Sequence, residues 1–143
     1  MTAPLFAVID TNVLVSALTS PVDDSPPRQI LRAWRAGRFR AAWCDELLAE
    51  WQRVCARPPI SRRHGLSARE QMALFRILLR PAARIEPKLA APTAPDPKDQ
   101  MLWGMLTAHP ALLLITGDQA LLDSAHYPDR KYRPAAFAEK LSR

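Results

Sequence analysis

The chain is poor in the residues that staple small proteins: 143 residues carry two cysteines, three histidines and four glycines. Cys44 and Cys55 fall in one predicted helix, about 16 Å apart at 1.5 Å per residue, and a disulfide needs Cα atoms closer than about 7 Å. A disulfide scaffold is therefore excluded. His64, His109 and His126 share no ligand spacing with one another or with a cysteine, which argues against a zinc site and a histidine base. Long apolar runs are absent too. The longest aliphatic stretch, Ala111–Ile115, falls far short of the roughly 20 residues of a membrane helix. No basic region precedes the first apolar segment, which meets a charge at Asp10. That pattern predicts no signal peptide, no membrane and a cytoplasmic, reducing address.

What the chain has is an ordinary globular balance, 48% apolar and 24% charged residues, and a length that predicts a single domain over residues 1–143. Its net charge of +6 is unevenly spread. Between Arg28 and Arg84 thirteen arginines face four acids, whereas the remainder has seven basic and ten acidic residues. A basic middle rich in arginine suits a polyanion, through bidentate phosphate contacts. It equally suits a solvated surface.

Leu5–Ile9 reads as a strand buried on both faces. Further strands are predicted over Phe39–Trp43, Ala83–Glu86 and Leu112–Thr116. Between them lie helical patterns: Asn12–Leu18; a helix opened by Ser25-Pro26-Pro27 and stopped at Gly37; one from Cys44 or Asp45 ended by Pro58-Pro59; one with a capping box at Ser67–Glu70; and one opened by Asp96-Pro97 and ended near His109. Asp118–Leu122 and Pro134–Leu141 close the chain. Alternating strands and helices predict an α/β fold, a mostly parallel sheet covered by helices on both faces. In such sheets ligands gather beyond the carboxyl ends of the strands.

Acids gather at that rim. Asp10 directly follows the first strand, Asp118 follows the Leu112–Thr116 strand, Asp99 opens the preceding helix, and Glu50 is carried by the helix after the second strand. Clustered carboxylates repel unless protonated or bridged by a cation, and hard divalent ions such as Mg²⁺ or Mn²⁺ take oxygen donors. That chemistry points to metal-dependent phosphodiester hydrolysis. Each acid has a plainer reading: Asp99 favoured by its helix dipole, Asp118 a cap, Glu50 a solvated residue beside Arg53. Asp10, placed straight after a buried strand, is hardest to explain without a ligand.

Val8-Ile9-Asp10-Thr11-Asn12 resembles the opening of PIN-domain ribonucleases. Cys44–Glu50, Asp96-Pro97-Lys98-Asp99 and Ile115-Thr116-Gly117-Asp118 are similar to that family's second, third and fourth motifs, and Pro134–Phe137 to its C-terminal segment. The branch most alike is the VapC-like toxins of toxin–antitoxin pairs. The resemblance implies a three-layer α/β/α sandwich with a short, mostly parallel central sheet and an endoribonuclease that uses Mg²⁺ or Mn²⁺. It implies Asp10, Glu50, Asp99 and Asp118 as catalytic metal ligands, with Asn12 and Thr116 orienting them. RNA, a cognate antitoxin and a second copy of the chain are the implied partners. Asp96 is either an extra ligand or the cap of its helix. Cys44 stands where the family more often has a small hydroxyl residue.

Trp34, Trp51 and Trp103 are expected in the core, with a groove for a partner helix as the alternative. Arg57, Arg62 and Arg63, in a stretch read as a proline-interrupted loop, are the candidate RNA contacts. A fold that has lost catalysis and serves as an RNA-binding or protein-interaction module remains open, as does a nuclease of RNA processing.

Overall fold

The computed structural model describes residues 4–143. Five short strands form its centre: β1 (Phe6–Ile9), β2 (Arg40–Trp43), β3 (Ala83–Arg84), β4 (Leu113–Ile115) and β5 (Lys131–Tyr132). They pair in the order β3-β2-β1-β4-β5, every neighbour parallel. Helices cover both faces, giving a three-layer α/β/α sandwich: α1 (Thr11–Thr19), α2 (Pro26–Arg35), α3 (Asp45–Cys55), α4 (Pro58–His64), α5 (Ala68–Leu79), α6 (Gln100–Ala108), α7 (Gln119–Asp123) and α8 (Pro134–Leu141). The sheet is wholly rather than mostly parallel.

The first strand lies in the middle because its four residues, all buried, suit a position with partners on both sides. Val8 pairs with Ala42 on one side and Leu114 on the other. Around it the core is continuous. Trp34, Trp51 and Trp103 are fully buried, as expected of core aromatics. Trp34 meets Trp51 at 5.9 Å between ring centroids, Trp51 stacks on Phe75 at 6.3 Å, and the Trp34 indole N–H donates to the Leu78 carbonyl at 2.9 Å. These contacts tie α2, α3 and α5 together.

Capping follows the sequence closely. Ser25 caps α2 with prolines in its first turn, and Ser67 and Glu70 form a reciprocal capping box on α5. Cys44 heads α3 without a side-chain bond, since a thiol is a poor acceptor. Cys44 and Cys55 are both buried and unpaired with each other.

Two expectations need correction. Residues 57–64 are not a loop: Pro58-Pro59 occupies the first turn of α4, and Gly65 ends that helix at φ 71°, a left-handed value suited to glycine. The prolines lack the N–H groups that a first turn leaves unbonded anyway, so they start this helix as readily as they follow the last. The second correction is β5, whose two residues are too few to show any periodicity.

Candidate active site

Strand order reverses direction about the β1–β4 pair, and the crevice beyond their carboxyl ends is where ligands bind such sheets. Asp10 and Thr116 are the first residues past those two strands. Backbone pairing continues one step beyond the strands, with Asp10 N–H donating to Ile115 O at 2.9 Å. The two side chains thereby stand side by side at the crevice floor.

Asp10 is 5% exposed and Thr116 is fully buried. A carboxylate so placed needs donors, and it has three. Thr11 N–H donates to Oδ1 at 2.8 Å, while the Thr116 hydroxyl at 2.7 Å and the Asn12 amide at 3.5 Å donate to Oδ2. Thr116 Oγ1 in turn accepts from Asp118 N–H at 3.0 Å, and Asn12 Oδ1 from Gly117 N–H at 3.4 Å. Asn12 and Thr116 therefore link β1 to the turn that carries Asp118. Burial is the main reason the Asp10 carboxyl is held above the usual range. The Thr116 and Thr11 bonds oppose that shift, and the charges of Glu50 and Asp118 add to it.

Glu50 reaches the same place from α3, its carboxylate accepting the Thr11 hydroxyl. Asp99 arrives from the segment before α6, where it ends a short 3₁₀ turn, Pro97–Asp99. Its carboxyl is pushed up to about 7, first by burial and then by the charges of Asp10, Asp118, Asp96 and Glu50. Asp10 and Asp99, both held above the usual carboxylate range by burial and by neighbouring acids, mark a site short of positive charge.

All four acids, with Asp96, line one cleft of about 540 Å³. Among the described residues no histidine or cysteine lines it, so its anionic donors are hard oxygens, the set that suits Mg²⁺ or Mn²⁺ rather than zinc. Ligand chemistry fits such a cation, but convergence is incomplete. Among the described residues no three His, Cys, Asp or Glu side chains stand close enough to hold one ion as placed. Each acid but Asp99 is drawn to a nearer donor. Asp118 Oδ1 accepts Ala120 N–H at 2.9 Å, capping α7, and Asp96 Oδ1 accepts Lys98 N–H at 2.9 Å, capping its own turn.

The rest of the lining is different in character: Val15, Val54 and Ile60 are apolar, and Arg53, Arg57 and Lys98 supply cations. Of the three arginines expected to touch RNA, Arg57 lines the cleft, whereas Arg62 and Arg63 lie exposed on α4 outside its walls. Thr11, Arg53 and Lys98 are cleft residues that sequence reasoning did not single out. Arg53 was legible in principle, because it stands one helical turn from Glu50 on the same face.

A family model described as PIN domain matches residues 7–120, most of the chain and all four acidic positions. The chain belongs to the PIN domain family. A comparison with curated proteins finds no match. In this PIN domain the matched span begins inside β1 and ends at the first turn of α7, so it takes in the crevice, β4 and all of β1 but Phe6.

Proposed function

We propose that this PIN domain is a divalent-cation-dependent endoribonuclease that hydrolyses RNA phosphodiester bonds. The observation that carries the reading is the convergence of Asp10, Glu50, Asp99 and Asp118, from four separate elements, on one cleft at the switch point of the sheet. These four carboxylates would hold the cation, Mg²⁺ or Mn²⁺, with Asp96 beside them. When bound, such an ion neutralises charge on a phosphodiester and lowers the pKa of a water. Thr116 and Asn12 aim the Asp10 carboxylate, and Thr11 aims that of Glu50. Outer donors of this kind commonly set ligand orientation and tune metal affinity. Arg57, in the lining of the same cleft, offers a fork of donors to phosphate oxygens.

The likeness to VapC-like toxins extends the reading to a biological role: the toxin of a two-gene pair, acting in the cytoplasm, with an antitoxin as partner and a second copy of the chain beside it. A non-catalytic RNA-binding module is the second reading, favoured by the incomplete convergence of the acids.

Cleavage of end-labelled RNA and single-stranded DNA, with Mg²⁺, Mn²⁺ or EDTA, tests the reaction. RNA should be cut by the wild type only with metal, and Asp10→Asn should abolish cutting while RNA binding survives. Binding without cleavage under every condition would favour the module. Growth arrest on expression, relieved by Asp10→Asn, tests the toxin role, and unimpaired growth would remove it.

A further inference from the structure

A second cavity, of about 310 Å³, adjoins the acidic cleft, and Glu50, Arg53 and Lys98 belong to the walls of both. The remaining walls of this second cavity are Glu46, Ala49, Pro97 and Met101. Arg53 comes from α3, and Lys98 from the turn before α6. Both side chains are exposed, and among the described residues neither has a carboxylate within ion-pair distance. Two arginines of α2 are different: Arg28 and Arg32 already pair with Asp23 and Asp24.

Two unpaired cations from different elements, shared by adjoining cavities beside an acid of the candidate active site, call for an anion. We infer that Arg53 and Lys98 form a phosphate clamp over which one polynucleotide strand threads from the acidic cleft into the second cavity. This rests on the nuclease reading of the cleft and assigns the path of its substrate. Each cavity is within or near the size range of pockets that take small ligands, a scale that suits single nucleotides of one strand. The arginine and the lysine divide the work: a planar fork fixes orientation, and a compact charge follows the backbone as it shifts. Clamping the phosphate next to Glu50 holds the neighbouring linkage over the four carboxylates, so Arg53 and Lys98 are positioning residues.

The test is binding of a short, labelled single-stranded RNA of mixed sequence in EDTA, across a series of KCl concentrations. Asp10→Asn protein serves as the reference, since it lacks one repelling charge and spares the probe. Added to it, Arg53→Gln or Lys98→Gln should each weaken binding and lower the slope of log affinity against log salt by about 0.7, the share of one phosphate contact on a single strand. Arg69→Gln, the same charge change on exposed α5, should leave the slope alone, and Arg53→Lys should restore it. A merely structural role would lower affinity without moving the slope. Unchanged slopes in both variants, no binding by the reference protein, or a blunt RNA duplex bound as tightly as the strand would overturn the inference. Wild-type protein that shows the clamp's salt signature yet never cleaves would instead sink the nuclease reading and leave the clamp standing.

Discussion

Three donors meet the two oxygens of buried Asp10, and the shortest bond comes from Thr116, the residue just past β4. Removing that donor with Thr116→Val leaves the carboxylate buried with one partner fewer. The variant should lose about 1–3 kcal/mol of stability in a denaturant melt. It should also lose roughly ten- to a hundredfold in Mn²⁺ affinity, the usual consequence of losing a residue that orients a ligand. Asp99 makes a prediction of opposite kind. Its carboxyl titrates near 7 in the folded protein and near the ordinary carboxylate value when unfolded. Between those values the folded chain holds a proton that the unfolded chain has released, so stability falls as pH rises through 7. Metal-free protein should melt higher at about pH 5 than at about pH 8. Asp99→Asn should flatten that difference and raise the melting temperature at the higher pH by about 3 °C, allowing for a carboxyl that is only half-buried. Asp10, Asp99 and Asp118 were legible from their places at strand ends and helix starts. Thr11 was in plain view beside Asp10, but its hydroxyl serves Glu50, 39 residues away, and no local pattern announces such a pairing.

Helices and strands were readable wherever several residues repeat a period or a cap. The five-residue run before Asp10 gave β1, and the Ser67–Glu70 box gave α5. Short elements escaped, since the two residues of β5 repeat nothing, and a proline pair marks a helix start and a helix stop equally well. Gly104 shows a subtler limit. Inside α6 it looks like a helix glycine that alanine would improve by about 1 kcal/mol. A Cβ there would meet Pro87 Cβ at 2.7 Å and Lys88 O at 3.0 Å, and Lys88 N–H donates to Gly104 O at 2.9 Å. The glycine is the seat of the loop that leads to Asp96 and Asp99. Gly104→Ala should therefore destabilise the protein, by about 1–3 kcal/mol for an overpacked contact, read by thermal melting. Gln100 fixes the same loop, donating to Pro92 O at 2.9 Å and accepting Ala94 N–H at 2.8 Å.

At the scale of the molecule, an all-parallel sheet with β1 at its middle gathers acids from residues 10, 50, 99 and 118 to one rim. The cost is mutual repulsion, which a bound cation would relieve. A ligand that binds the folded chain alone raises its stability, by about 2.7 kcal/mol at a hundred times the dissociation constant. Thermal melts should show Mn²⁺ raising the midpoint by about 10 °C under that condition for a chain of this size. Glu50→Gln and Asp118→Asn should shrink the rise. The most direct measurement is a calorimetric titration of Mn²⁺ into wild-type protein and into Asp10→Asn, Glu50→Gln, Asp99→Asn and Asp118→Asn prepared alike. If the four carboxylates serve one cation site, the wild type binds and every single variant binds at least about tenfold more weakly. Wild-type affinity retained in all four variants, or no binding by the wild type, would contradict the account.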